Sequence, residues 1–100
     1  MATQKAAKTS EIAPGAGKCV VVEGMEIAIF NVGGRFYAID NTCPHSAGPL
    51  AEGELLGTTV ACPWHFWQFE VTTGASKFNP AVKIKTFPVE LKGEEVYVTV

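Results

Sequence analysis

The sequence predicts an all-β fold, a small antiparallel sandwich or barrel. Three observations carry this. Apolar residues gather in short runs rich in Val and Ile, turn residues separate the runs at close intervals, and no stretch keeps a helical period beyond about one turn. Strands this short and frequent leave no room for the crossovers of a parallel sheet. The chain has 100 residues, enough for one domain with a modest core, near the size at which a metal centre adds useful stability.

The elements follow in order. The first few residues lack an apolar run and are the candidate for disorder, and one helical turn is expected near Ser10–Ile12. Residues 18–22 form a β run ended by Glu23-Gly24, and Met25 to Val32 form the next. Gly33-Gly34 then leads into Arg35–Ile39; two glycines between apolar runs mark a two-residue hairpin, because both can take φ > 0 without strain. Residues 59–61 and 66–71 are expected as strands around a loop. Lys83–Leu91 and Glu95–Val100 close the chain as a hairpin around Lys92-Gly93-Glu94, with Val96, Val98 and Val100 alternating against Tyr97 and Thr99.

Two loops between these runs hold the chemistry. Cys43-Pro44-His45 and Cys62-Pro63-Trp64-His65 make the pattern C-x-H-x16-C-x2-H, and they use both histidines and two of the three cysteines. Two thiolates and two neutral imidazoles satisfy either one tetrahedral zinc or a His2Cys2-ligated [2Fe-2S] cluster. Zinc sites with these ligands usually pair Cys with Cys and His with His. Here each loop supplies one of each, which suits two irons, with the thiolates on one and the imidazoles on the other. A Cys43–Cys62 disulfide beside ordinary core histidines is the third reading. Cys19, inside Lys18-Cys19-Val20-Val21-Val22, is expected to be a buried thiol acting as a small hydrophobe.

Composition removes other classes. The net charge of -2 carries no nucleic-acid footprint. No signal peptide and no run approaching the ~20 apolar residues of a membrane span is visible, so a cytoplasmic protein is expected, with thiols kept reduced. Ser46 lacks a free base if His45 binds metal, and Gly33-Gly34 is a hairpin rather than a phosphate loop. If the site holds a redox cluster, the chain reads as an electron carrier and not an enzyme.

The segment Cys62-Pro63-Trp64-His65-Phe66-Trp67-Gln68-Phe69-Glu70-Val71-Thr72-Thr73-Gly74 resembles the Rieske signature. So do Asp40-Asn41-Thr42-Cys43-Pro44-His45, Gly48-Pro49-Leu50 and Gly53. The resemblance spans the whole chain. It implies one [2Fe-2S] cluster, with Cys43 and Cys62 on the inner iron and His45 and His65 on the outer one. It implies a single Rieske domain over 1–100, with a base of 1–40 and 82–100 and a cluster-binding subdomain of 41–81. A third loop covering the cluster would be Phe78-Asn79-Pro80-Ala81.

High-potential members of that family have a disulfide between the loops, and a Ser and a Tyr that donate to the sulfurs. Here Gly48 and Trp64 stand in place of the cysteines, and Trp67 and Phe69 in place of the hydroxyl residues. A potential near the low end of the Rieske range, roughly -150 mV, is expected, falling with rising pH as the outward histidine nitrogens lose protons. One departure is Phe66, where relatives commonly have Gly; a positive φ there would be costly. Trp64, with Pro49 and Leu50, is expected to form an apolar docking rim, and Glu52 and Glu54 to steer a basic partner.

Its size and the lack of a visible membrane span resemble the Rieske-type ferredoxins of bacterial multicomponent oxygenases. These carry electrons from a flavoprotein NAD(P)H reductase to a terminal oxygenase, and a monomer is expected. The alternatives are a small accessory subunit resembling that of NAD(P)H nitrite reductase, and a zinc-stabilised binding module.

Overall fold

The computed structural model describes residues 3–44, 48–64, 66–79 and 81–100. Its strands are β1 (Thr3–Lys8), β2 (Gly17–Val22), β3 (Met25–Val32), β4 (Arg35–Asp40), β5 (Glu54–Leu56), β6 (Thr59–Ala61), β7 (Gln68–Glu70), β8 (Thr86–Phe87), β9 (Val89–Lys92) and β10 (Glu95–Thr99). Short 3-10 turns cover Thr9–Glu11 and Leu50–Glu52. The strands form three antiparallel sheets, ordered β1-β10-β9, β2-β3-β4-β8 and β5-β6-β7. The sheets stay open and separate, so the barrel form of the expectation does not hold, while the all-β antiparallel class does.

β3 explains the layering. Strand residues alternate between faces, yet Ile27, Ala28, Ile29 and Phe30 are all 0% exposed. Ile27 and Ile29 pack with Ala7, Ile12, Ala38, Phe87, Val96 and Val98. Ala28 and Phe30 face the other way, toward Leu50, Val60, Phe69 and Val71. The four-stranded sheet is therefore covered on both sides, as its nearly continuous apolar run requires. The core that Ala28 and Phe30 share with the β5-β6-β7 sheet also contains Cys43 and Cys62.

Several sequence expectations meet a correction here. Thr3–Lys8, near the segment expected to be disordered, is a strand pairing with β10. Its TQKAAK sequence has no apolar signal, and the ladder bonds, the buried Ala7 and a 2.8 Å Lys5–Glu95 ion pair hold it instead. Lys83–Leu91 is not one strand. Pro88 lacks the N–H that a ladder needs, so Thr86–Phe87 pairs with β4 and Val89–Lys92 with β10. The strand expected over 66–71 shortens to Gln68–Glu70, because Phe66 lies in the left-handed region. β5 is an addition to the expected strands; its ELL sequence leaves Leu56 67% exposed. The Gly33-Gly34 hairpin forms with φ of 59° and 96°. Among the described residues no helix is long and apolar enough to cross a membrane.

Candidate cluster site

The first loop leaves β4 at Asp40. The Asp40 Oδ1 accepts the Thr42 N–H at 2.9 Å, a local turn that Asx residues favour. Asn41, 4% exposed, then acts as a hub. Its backbone N–H donates to Glu26 O at 3.1 Å, its carbonyl accepts Leu50 N–H at 2.8 Å, and its Oδ1 accepts Ala51 N–H at 2.8 Å. The loop's two ends are thus tied to one buried side chain and its backbone. Cys43 N–H donates to Gly48 O at 3.0 Å, closing the excursion. Asn41 stood in the motif with no role assigned to it; a buried polar residue beside a turn is the signal that marks it.

The second loop leaves β6 and closes on itself. Cys62 N–H donates to Trp67 O at 2.7 Å, and Phe66 N–H donates to Cys62 O at 2.9 Å. The latter bond spans four residues and ends on a residue in the left-handed region, Phe66 at φ 60°. The suspected departure from glycine is therefore a real conformational cost, carried by a phenylalanine that is 70% exposed. The only other described non-glycine residue with positive φ is Glu23, at φ 53° in the β2–β3 turn.

The third loop turns at Ser76, 2% exposed, whose Oγ accepts Phe78 N–H at 3.2 Å and Asn79 N–H at 3.4 Å. Asn79 Oδ1 accepts Ala81 N–H at 3.1 Å. Ring contacts join this loop to the second, Trp67 lying 6.0 Å from Phe78 and 6.4 Å from Phe69. Pro80, the centre of the expected covering loop, lies outside the described residues, as do the candidate ligands His45 and His65.

The structure brings Cys43 and Cys62 into one apolar cluster at 1% and 0% exposure. Neither is in a disulfide, which removes the disulfide reading. A Cβ placed at Gly48 would stand 2.7 Å from Cys62 Sγ, so the first loop passes directly against the second loop's sulfur. Two soft sulfur donors, enclosed from water where two loops meet, fit a [2Fe-2S] cluster.

Around this centre the surface is apolar. Trp64 is 57% exposed, Phe66 70% and Phe78 68%. Phe66, Leu56, Ala61, Pro63, Gln68 and Glu54 line a groove of about 400 Å³. Leu50, expected in that rim, is instead fully buried, because its 3-10 turn is anchored on Asn41 and its side chain enters the core. Cys19 departs from expectation too, in the opposite sense: it is exposed on the edge strand β2. Partial enclosure pushes its thiol pKa up, and the Glu26 and Glu52 carboxylates add to the effect.

Known proteins resemble this chain in sequence and fold. The Rieske [2Fe-2S] domain family matches residues 2–88. The ferredoxin component of biphenyl 2,3-dioxygenase from Rhodococcus jostii (strain RHA1) is 41% identical over 100 residues, covering 98% of this chain and 92% of that protein. A chain in a complex of reduced oxygenase and oxidized ferredoxin in carbazole 1,9a-dioxygenase superposes with a TM-score of 0.87 at 38% identity, covering 96% of this chain and 91% of the other. A putative NADH-dependent nitrite reductase small subunit from Mycobacterium tuberculosis superposes with a TM-score of 0.90 at 22% identity, over 97% and 93% of the two chains; this likeness is one of fold alone. The chain belongs to the Rieske [2Fe-2S] family, as a ferredoxin that carries electrons on one cluster and is not itself an enzyme.

Proposed function

We propose that Cys43, His45, Cys62 and His65 hold the cluster, and that the chain passes single electrons from a flavoprotein NAD(P)H reductase to a terminal oxygenase in the cytoplasm, as a monomer. The observation that carries the ligand assignment is the burial of Cys43 and Cys62 together where two Cys/His loops meet. Each loop has one thiol and one imidazole in its sequence, so the pair of thiolates takes the enclosed iron and the pair of imidazoles the outer one. When bound, the cluster supplies a one-electron redox couple. The chain's own residues enclose the sulfurs, exclude water and set the loop geometry. The 1–100 chain is read as one domain, with 41–81 as the cluster-binding part on a base of 1–40 and 82–100.

The partner class comes from relatives, since the biphenyl dioxygenase ferredoxin is a component of an oxygenase system and the carbazole ferredoxin is seen with its oxygenase. The exposed Trp64, Phe66 and Phe78 form the apolar part of the docking rim. Glu52 and Glu54, both exposed, form the acidic part.

EPR of the dithionite-reduced protein, with iron and acid-labile sulfide assays, tests the cluster. A rhombic signal with average g below that of all-Cys clusters, at two irons and two sulfides per chain, is expected. A colourless protein containing zinc overturns the reading. Replacing His45 or His65 by Ala should abolish that signal, and its survival would remove that residue from the ligand set.

A further inference from the structure

We infer that Trp64 is a positioning residue that bolts the two cluster loops together through Gly48, and so governs how long the chain keeps its cluster. This rests on the cluster reading above. Trp64 belongs to the second loop and Gly48 to the first. A Cβ at Gly48 would lie 3.1 Å from Trp64 Cγ and 3.2 Å from Trp64 Cδ2, as well as 2.7 Å from Cys62 Sγ. Those two ring atoms lie at the root and shared edge of the indole. The ring therefore seats against the first loop's backbone at a point where no side chain fits.

Gly48 is buried although its neighbour Trp64 is 57% exposed. One face of the indole thus covers the glycine and the rest faces water. Gly48 O also accepts the Cys43 N–H at 3.0 Å. A residue pressed on Gly48 consequently holds the backbone that positions Cys43, and lies beside the sulfur of Cys62. Through one glycine, the indole restrains both buried cysteines.

Among the described residues the loops are not joined by a disulfide. Cys43 to Gly48 in the first loop, and Cys62 to Trp67 and Phe66 in the second, are backbone bonds that close each loop on itself. The loops must part for water, oxygen or a chelator to reach the sulfurs. An aromatic side chain spanning the seam raises the cost of that local opening, which is the step that sets the rate of loss from an otherwise stable fold.

The test uses the cluster-loaded protein and follows the decay of its visible absorbance in air with an iron chelator. Trp64→Ala should lose the cluster about tenfold faster, the equivalent of about 1.4 kcal/mol in the opening barrier. Its initial EPR line shape should be unchanged, because no ligand is altered. Trp64→Phe should recover most of the lifetime, since a flat ring still covers Gly48. Gly48→Ala should also accelerate loss, by displacing the ring and crowding Cys62 Sγ. The crowding persists in any background but the ring displacement does not. Gly48→Ala must therefore accelerate loss by a larger factor in the parent than in the Trp64→Ala background.

Far-UV circular dichroism confirms that each variant folds, and a folded Trp64→Ala that fails to retain a cluster while Trp64→Phe retains it is the limiting form of the expected result. An unchanged lifetime in Trp64→Ala overturns the inference, as does an equal Gly48→Ala factor in both backgrounds. If the parent protein itself holds no [2Fe-2S] cluster, the cluster reading fails first.

Discussion

Replacing Phe66 by Gly and by Ala isolates the backbone cost at the end of the second loop. Phe66 sits at φ 60°, where a residue with a Cβ pays roughly 1–2 kcal/mol. Phe66 is 70% exposed. Its ring therefore recovers burial from about three-tenths of a side chain of roughly 200 Å², or about 1.5 kcal/mol at ~25 cal/mol per Å². Strain and burial nearly cancel, and the unfolded-state freedom of glycine then leaves Phe66→Gly about 0.4–1 kcal/mol less stable than the parent. The comparison of Gly with Ala removes burial from the question, since both lose the ring. Gly escapes the strain but gains about 0.4–1 kcal/mol of unfolded-state freedom. The net is about 1 kcal/mol in favour of Gly, or about 4–8 °C in Tm for a chain of this size. At an ordinary φ the order would be reversed, with Ala ahead of Gly by roughly 0.5–1 kcal/mol. Thermal unfolding of the cluster-loaded variants by far-UV circular dichroism, at one scan rate, reads the difference. A Phe66→Ala variant as stable as the Phe66→Gly variant, or more so, would refute the argument and place Phe66 outside the left-handed region.

Two other predictions follow from the site and its support. Hydrogen bonds from Thr58 and then Lys77 hold the Glu70 carboxyl below its ordinary value of 4.5, with Thr72 adding to them. Because the folded value is depressed, the stabilisation is present above pH 4.5 and is lost as pH falls through the lower folded value. Glu70→Gln should thus be less stable than the parent at pH 7, with the gap closing on acidification below 4.5; a gap that widens there contradicts the sign. The reduction potential should lie near the low end of the Rieske range, roughly -150 mV, because the side chains at Trp67 and Phe69 have no hydroxyl to donate to the sulfurs. A redox titration giving a value well above zero shows that other donors stabilise the reduced cluster.

Much of the protein was legible in one dimension, for a local reason. The spacing of Cys43, His45, Cys62 and His65 marks them as candidate ligands, and the pairing of one Cys with one His in each loop, rather than residue type alone, points to two irons over one zinc. Met25–Val32 and the Gly33-Gly34 turn were equally clear, since side-chain period and φ tolerance are properties of neighbouring residues. What nearby residues do not record was decided by packing. Thr3–Lys8 becomes a strand only because β10 lies alongside it. Leu50 enters the core, and Cys19 leaves it, according to which face their elements turn inward. An apolar run such as Lys18–Val22 cannot reveal that it will form the edge of a sheet. The cost at Phe66 was suspected from the missing glycine, but its φ follows from closure of the 62–67 loop. The sequence by itself determined which residues are candidate donors and strands such as Met25–Val32, because both depend on residue identity and near neighbours. Only the tertiary structure decided which loops meet, which sulfurs are enclosed and that Gly48 lies under Trp64, because those depend on contacts between residues distant in the chain.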